Sequence, residues 1–283
     1  MRLSIAAIVV LTAYFASAPL ARPSELRLLD GETSANNSYR LNADYLKGCV
    51  SDAKSIIASP LSLGRSGWLK FSLISVITTA VADEEDNIQR WVQENRNAGT
   101  DRIARSAKPF GDGRYTLPVL AGLYCYGHFF QSERARRTAL LSLESFVIAG
   151  ILTETIKHTT QKHRPGSGEL EDIRWDGPRF SNANLSFPSG HTTSAFAVAT
   201  VLASEYGDCA FVPPLMYGAA TLCAFSRIND NAHWLSDVII GAAIGHFTAK
   251  DIVGLHGGNT DKKFSLMPTV NDRRPGLSIS YRF

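Results

Sequence analysis

Residues 226–237 read SRINDNAHWLSD and place an arginine, a histidine and an aspartate at fixed intervals. Arg227 precedes His233 by six positions, and His233 precedes Asp237 by four. If a helix begins directly after a capping Asn231, His233 and Asp237 lie one turn apart on the same face, so the carboxylate can hold the imidazole. An oriented imidazole is a nucleophile or base, and a guanidinium suits an oxyanion. The stretch therefore predicts phosphate chemistry.

Two earlier segments carry groups that fit the same chemistry. Lys157 precedes Arg164 by seven positions, or two helical turns, so both cations point to one side until Pro165 disfavours the helix. Residues 188–191, which read PSGH, stand just before an apolar helical pattern. Such a turn directs backbone N–H groups at an anion, aided by the helix dipole, and His191 in the first turn would face that anion.

Taken in this order and spacing, the three segments resemble the signature of the type 2 phosphatidic acid phosphatase superfamily. Its members include bacterial nonspecific acid phosphatases, lipid phosphate phosphatases and vanadium haloperoxidases. Every position of the signature is filled: Lys157, Arg164, Pro165, Pro188, Ser189, Gly190, His191, Ser226, Arg227, His233 and Asp237. One departure is Asn231, where many members have glycine. Because asparagine tolerates left-handed backbone geometry, we expect the turn to be kept.

The resemblance implies a role for each residue of the signature that carries chemistry. His233 would attack phosphorus and form a phosphohistidine, Asp237 would orient it, and His191 would protonate the leaving oxygen and later activate water. The phosphate oxygens would be held by the other polar groups of the signature: Lys157, Arg164, Ser189, Gly190 and Arg227. This arrangement requires no metal and no cofactor.

The resemblance also implies the fold class, which is all-α: a compact helical bundle of the acid phosphatase/vanadium haloperoxidase type. Apolar helical patterns at about 138–158, 191–204 and 238–249 agree with it, and residues 115–132 and 209–226 lack any Asp, Glu, Lys or Arg. These two uncharged stretches are at the lower edge of what can span a membrane. The spacing of Gly241 and Gly245 would let a neighbouring helix approach closely.

The remaining segments complete the predicted domain organisation. Residues 1–18 have the layout of an export signal, with a retained anchor helix as the alternative, and residues 19–40 form a leader. The helical domain covers 41–256, with its catalytic core at about 115–251. Within it, residues 83–108 look like amphipathic, solvent-facing helix with an acidic first turn. The tail, 257–283, contains a short β-hairpin, which also resembles the last strands of an outer-membrane barrel.

Composition limits the partners of this 283-residue chain. The formal net charge of +3, without a basic run, gives no reason to expect nucleic acid. Charged residues make up 19%, below the usual share in soluble domains, so membrane association is compatible with the sequence. The four cysteines, Cys49, Cys125, Cys209 and Cys223, allow a disulfide but show no metal-ligand spacing.

The sequence therefore predicts an exported phosphatase of the periplasm or cell envelope that hydrolyses phosphate monoesters, with lipid phosphates as the favoured substrates. A soluble nonspecific periplasmic acid phosphatase is the main alternative. A vanadate-dependent haloperoxidase is a second alternative, since the same pocket accepts vanadate. A non-catalytic phosphate-binding envelope protein is the third. The oligomeric state is left open.

Overall fold

The structure is a computed structural model that describes residues 39–59, 65–165, 175–179, 181–257, 264–271 and 274–281. The expected export signal and residues 19–38 of the expected leader lie outside this part of the chain. The described helices are α1 (Ala43–Ala58), α2 (Arg65–Asp83), α3 (Glu85–Glu94), α4 (Ala98–Ala107), α5 (Gly113–Phe129), α6 (Glu133–Thr160), α7 (Gly190–Glu205), α8 (Val212–Asn229) and α9 (Leu235–Leu255), with a 3-10 turn over Lys108–Gly111. The predicted helical fold class is confirmed.

Two strands follow the bundle. They are β1 (Phe264–Asn271) and β2 (Arg274–Tyr281), which pair antiparallel with Phe264 opposite Tyr281. This pairing is confined to the tail, so the site and the bundle core are built from helices and their connections.

The ends of the helices follow local chemistry. Asn42 caps α1 by accepting a hydrogen bond from the Tyr45 N–H at 2.8 Å. The uncharged stretch 115–132 is not one helix, because α5 ends at Phe129 and Ser132 caps α6. At its other end α6 stops at Gln161, which has the left-handed φ of 46°, and this turn redirects the chain toward the site.

The last helix begins later than the sequence suggested. Asn231 has a φ of 54°, so α8 cannot continue through it, which confirms the turn expected at this position. The helix α9 then starts at Leu235 rather than near Asn231, because the Asp237 carboxylate accepts a hydrogen bond from the Trp234 N–H at 2.9 Å and caps it there. His233 therefore lies in the turn before the helix.

Three helices, α6, α7 and α9, form the centre of the core. Their buried side chains include Leu141, Ile148, Leu152, Val201, Ile240, Ile244 and Ile252. The two glycines of α9 are where its backbone meets α7, as predicted: a Cβ on Gly241 would lie 2.7 Å from the Ser189 carbonyl oxygen, and one on Gly245 would lie 2.2 Å from that of Thr193. This close approach places the start of α7 beside the start of α9, where the Ser189 N–H donates to the Asp237 carbonyl at 3.0 Å.

The expectation that residues 83–108 face solvent is wrong for one side of α3. Glu85 and Gln89 are buried, with exposed fractions of 3% and 6%. The Gln89 side chain donates to the Ile228 carbonyl at 3.1 Å and to the Asn231 side chain at 2.6 Å. The helix is amphipathic, but its polar face packs against the turn between α8 and α9 because that turn leaves backbone carbonyls that need donors.

None of the four cysteines, all of which lie in the described residues, forms a disulfide.

Among the described helices, α6 and α9 are long and apolar enough to cross a membrane, although half or more of each apolar stretch is buried inside the bundle. The core helix of a soluble protein passes the same test, so this finding alone does not place the protein in a membrane.

Candidate active site

The residues of the sequence signature meet at one end of the bundle. They come from the end of α6, the connection between α6 and α7, the first turn of α7, and the turn between α8 and α9. A Cβ on Gly190 would lie 3.3 Å from the Lys157 ammonium, and the Arg164 guanidinium is 3.4 Å from the Ala232 carbonyl oxygen. Segments distant in sequence therefore form one site.

His233 is buried at the bottom of this site. Its Nδ1 is 2.8 Å from the Ser186 carbonyl oxygen and 3.6 Å from the Asp237 carboxylate. A carbonyl only accepts, so Nδ1 carries the proton and Nε2 keeps its lone pair. Burial lowers the pKa of His233 and so favours the neutral ring. The Asp237 carboxylate acts in the opposite direction but has the smaller effect. The geometry therefore suits a nucleophile. The Ser186 carbonyl is the nearer partner of Nδ1, and the Asp237 carboxylate lies beside it, although His233 is in the turn before α9 and not one turn away on the same helix.

Asp237 is fully buried, and its carboxylate is surrounded by donors. One oxygen, Oδ2, accepts from the Ser186 hydroxyl at 2.5 Å and from the Trp234 N–H at 2.9 Å. The other, Oδ1, accepts from the Lys162 ammonium at 2.8 Å. Ser186 therefore contacts both residues, because its hydroxyl binds Asp237 while its carbonyl binds His233.

His191 lies in the first turn of α7 and faces the same site. Its Nε2 is 4.0 Å from the Asp112 carboxylate and has no hydrogen-bond partner among the described residues. Burial, followed by the positive charge of Arg227, lowers the pKa of His191 to about 4. The Asp112 carboxylate opposes this lowering of the pKa, while His233 and Lys108 contribute to it. The ring is thus neutral at neutral pH until a negative charge enters the site.

Arg227 brings a largely buried guanidinium to the site. Its Nη1 is 3.3 Å from the Asp230 carboxylate, while its buried Nε has no hydrogen-bond partner in the described part of the chain. An N–H left without an acceptor in a buried place costs about 1–3 kcal/mol, and more on a charged group. An anion in the site would supply the missing acceptor. Arg164 lies near enough for the two positive charges to act on each other.

Lys157 and Ser189 border the same space. The Lys157 ammonium, 12% exposed, pairs with Glu154 at 2.7 Å and lies beside Gly190 at the start of α7. Ser189 precedes that helix as its cap residue, yet its hydroxyl caps no backbone N–H and instead accepts from the Thr192 hydroxyl at 3.0 Å. The start of α7, which has the first N–H groups of a helix, therefore lies beside the Lys157 ammonium.

Four residues outside the sequence prediction take part in this arrangement. Glu85, Lys162 and Ser186 surround Asp237, and Asp112 faces His191. Hydrogen bonds from Arg114 hold the pKa of Asp112 well below its usual range, so this carboxylate stays ionised. Only Asp112 had a detectable signal, since an aspartate before a helix is a common cap.

The remaining carboxylate and histidine clusters lie elsewhere. His163 pairs with Asp176 at 3.2 Å. At the far end of α9, Asp52, Glu144 and His256 bring one potential metal ligand each within 4.8 Å of one another. Burial alone would lower the pKa of His256, but the two carboxylates raise it to about 9. The protonated imidazole and the two carboxylates therefore form ion pairs in this cluster.

Comparison with known proteins agrees with this geometry. Residues 138–260 match the model of the PAP2 superfamily. Over 74 residues, 26% of this chain, the sequence is 48% identical to lipid A 1-phosphatase of Porphyromonas gingivalis, of which it covers 16%. It is 30% identical to decaprenylphosphoryl-5-phosphoribose phosphatase of Mycobacterium tuberculosis over 128 residues, which are 44% of this chain and 65% of that protein. The chain thus spans less than two thirds of the length of these curated relatives.

A solved structure shares the fold. The crystal structure of a transmembrane PAP2 type phosphatidylglycerolphosphate phosphatase from Bacillus subtilis aligns with a TM-score of 0.50 and 18% sequence identity. The alignment covers 66% of this chain and 94% of that one. At this identity the likeness supports the bundle fold and no finer statement.

Proposed function

Because residues 138–260 match the model of the PAP2 superfamily, we propose that this protein is a phosphatase that hydrolyses lipid phosphate monoesters through a phosphohistidine. The observation that carries the proposal is the environment of His233. It is a buried, neutral imidazole whose Nδ1 is committed to the Ser186 carbonyl, with Arg227 and Arg164 close by. A ring held in this tautomer, next to a guanidinium whose buried Nε has no acceptor among the described residues, is suited to attack phosphorus.

In the first half of the reaction His233 Nε2 attacks the phosphorus atom. A P–N bond forms, the P–O bond to the alcohol breaks, and the three other phosphate oxygens move into the plane between them. The groups that would bind these oxygens are Lys157, Arg164, Arg227, the Ser189 hydroxyl and the Gly190 N–H. The positive charges of the lysine and the two arginines are in place before the transfer begins. The site is therefore arranged to stabilise the negative charge of the transition state.

His191 supplies and then recovers the proton. Its pKa is about 4 with the site empty, because it is buried beside the positive charge of Arg227. A bound phosphate ester brings up to two negative charges and offsets Arg227, which raises the pKa and lets His191 take up a proton. The imidazolium then protonates the leaving oxygen of the alcohol.

In the second half water replaces the alcohol. Neutral His191 removes a proton from a water molecule, the resulting oxygen attacks phosphorus, and the P–N bond breaks to release phosphate. His233 returns to its neutral tautomer on the Ser186 carbonyl. The positive charge that the ring carries in the phosphohistidine is offset by Asp237, 3.6 Å from Nδ1.

The surface of the bundle supports a lipid substrate. Large apolar side chains are exposed on several of the described helices, and most of them are on α2, α5, α6 and α8. Those on these four helices are Trp68, Leu69, Leu73, Val76, Ile77, Tyr115, Leu117, Val119, Tyr126, Phe129, Val147, Ile151, Leu215 and Leu222. Apolar surface on this scale is unusual on a soluble monomer and is typical of a surface that contacts lipid or protein.

The two acidic residues in the apolar part of α6 do not require a water-exposed bundle. Glu144 breaks the apolar run of α6 in the sequence, but its side chain is 1% exposed and accepts a hydrogen bond from the Tyr45 hydroxyl at 2.8 Å. Glu154, the other acidic residue of that helix, pairs with Lys157 at the end where the site lies. Both carboxylates are therefore compatible with a bundle surrounded by lipid, with its site at headgroup depth.

The proposed location follows from these features. The protein is exported by residues 1–18 and acts in the cell envelope, where it associates with the membrane through the exposed apolar side chains of the 41–256 domain. Its partner is the phosphate-ester substrate. The two curated relatives are named as phosphatases of lipid A and of decaprenylphosphoryl-5-phosphoribose, which supports a lipid phosphate as the substrate class.

The test is a comparison of catalytic efficiency on two substrates, a phosphatidate in detergent micelles and a small soluble phosphate ester. We expect the lipid to be preferred and the activity to sediment with carbonate-washed membranes. Preference for the soluble ester, with recovery in the aqueous fraction, would favour the acid phosphatase alternative. Vanadate should inhibit, whereas halide oxidation dependent on vanadate would identify a haloperoxidase. A well-folded protein with no turnover on either ester would contradict the proposed function.

A further inference from the structure

We propose that Lys162 and Glu85 are positioning residues, which hold the Asp237 carboxylate in the orientation that His233 requires. The inference rests on the proposed function and extends its site to a helix outside the signature. Lys162 lies between two signature positions, Lys157 and Arg164, and Glu85 begins α3.

The Lys162 ammonium is the centre of a buried cluster. It donates to both carboxylate oxygens of Glu85, at 2.8 and 3.0 Å, to the Ser236 hydroxyl at 3.0 Å and to Asp237 Oδ1 at 2.8 Å. The Ser236 hydroxyl also donates to Glu85. The exposed fraction is 1% for the Lys162 side chain, 3% for that of Glu85 and zero for that of Asp237.

Aromatic rings close the rest of the cluster. The ammonium nitrogen is 5.2 Å from the ring centre of Trp175, 5.7 Å from that of Trp234 and 5.8 Å from that of Phe187. Such rings attract a cation and exclude water. The buried ammonium is paired with two carboxylates that are in direct contact with it.

This environment separates Lys162 from the lysine of the signature. The three N–H bonds of its ammonium are shared among four protein acceptors, which leaves none for a substrate oxygen. Lys157, in contrast, is partly exposed and borders the start of α7. Lys162 therefore cannot bind phosphate, and its contribution to the reaction passes through Asp237.

The contribution is orientation. Because Lys162 occupies Oδ1 of Asp237, the other oxygen is turned toward the Ser186 hydroxyl, the Trp234 N–H and His233. The same Ser186 carries the carbonyl that fixes the tautomer of His233. Without the ammonium, the carboxylate can rotate and the imidazolium formed during the reaction loses its aligned counter-charge. Glu85 holds the Lys162 ammonium in place, and so links α3 to the segment that carries His233 and Asp237.

The experiment uses variants of the full chain in which no buried ammonium is left without a carboxylate. The double variant Glu85→Gln/Lys162→Met removes a carboxylate and the ammonium together, and Glu85→Gln alone is the milder change. We expect both to fold, as judged by circular dichroism and thermal unfolding. We expect kcat to fall about 10- to 100-fold in the double variant and several-fold in the single one, while KM and the inhibition constant of inorganic phosphate change less than about twofold.

Lys157→Met is the matched control, because this lysine is expected to contact the phosphate. It should weaken inhibition by inorganic phosphate about tenfold or more as well as lowering kcat. A folded Glu85 or Lys162 variant with the kcat of the wild type would overturn the inference. So would a loss of phosphate inhibition parallel to that of Lys157→Met, because Lys162 would then bind substrate directly. An inactive wild type would instead contradict the proposed function.

Discussion

His233 has two sides that differ in how their charges are paired. On the substrate side, the buried Nε of Arg227 lacks an acceptor and Nε2 of His191 lacks a partner among the described residues. On the opposite side, both oxygens of Asp237 are engaged by Lys162, Ser186 and Trp234. The substrate side has hydrogen-bonding groups that only a bound anion would satisfy, whereas the hydrogen bonds of the opposite side are made within the protein.

This difference separates binding from alignment. Unsatisfied donors gain hydrogen bonds when phosphate enters, so changes on the substrate side should alter both affinity and rate. A saturated buried network gains nothing from the substrate, so changes there should alter the rate while affinity stays nearly constant. The predictions that follow test this division, in order of decreasing effect.

The largest effect is expected on the saturated side. Asp237→Asn should reduce kcat about 10³- to 10⁴-fold, since an amide cannot neutralise the imidazolium and presents donors to Lys162 or Ser186; the corresponding change in the serine-protease triad costs about 10⁴-fold. The measurement is kcat on purified, folded protein. Asp208→Asn is the control, because Asp208 lies in an exposed pair with Arg134 and should leave the rate unchanged. If Asp237→Asn keeps normal turnover, the residue is not part of the reaction.

On the substrate side, His191→Gln should reduce turnover of an alkyl phosphate about 10²- to 10⁴-fold because the general acid is lost. A nitrophenyl ester, whose leaving group needs no proton, should lose much less of its rate of phosphoenzyme formation. The comparison is made by pre-steady-state kinetics, with His128→Gln on the exposed face of α5 as the control. Equal losses on both esters would show that His191 is not the acid.

Arg227→Lys should have a smaller effect that appears in both affinity and rate. Lysine keeps the charge but not the planar fork of N–H groups, so we expect about a 10- to 100-fold loss in kcat/KM together with weaker inhibition by vanadate. Steady-state kinetics and vanadate titration measure it. The exposed Arg105→Lys on α4 should change neither value. An effect on kcat alone would place Arg227 with the alignment network instead.

The smallest effect concerns pH. The pKa of His191 is about 4 in the empty site and is raised when an anion binds, so the complex takes up a proton and affinity rises as the pH falls from 7 toward 5. Inorganic phosphate should therefore inhibit the wild type up to about tenfold more strongly at pH 5 than at pH 7, relative to His191→Gln. Protonation of phosphate itself affects both proteins alike. Parallel pH profiles of the two inhibition constants would contradict the assignment.

The residues on the substrate side of His233 could be predicted from the sequence because they belong to short motifs in a fixed order. Lys157, His191 and Arg227 each lie in the first or last turn of a helix, and Arg164 lies in the connection just after α6, so local patterns in the chain indicate where they are. The bounds of α1 and the contact of Gly241 and Gly245 with α7 also followed from local patterns.

The residues on the opposite side of His233, around Asp237, could not be predicted from such motifs. Lys162 is one polar residue in a polar stretch, and Glu85 belongs to an acidic run that usually faces solvent; their burial depends on the packing of α3 against a turn distant in sequence. The hydrogen bond of His233 was also missed, because the left-handed Asn231 delays α9 until Leu235. A backbone carbonyl, which no residue type reveals, then becomes its partner.

The central claim is that His233 carries the phosphoryl group, and trapping that group tests it most directly. Enzyme mixed with a lipid phosphate labelled on phosphorus is quenched within milliseconds in alkaline detergent, because a P–N bond is labile to acid. We predict label on the peptide that contains His233, increased in His191→Gln with a nitrophenyl ester, where hydrolysis is slowed, and absent in His233→Ala. Turnover without any trapped label, or label on another residue, would contradict the account.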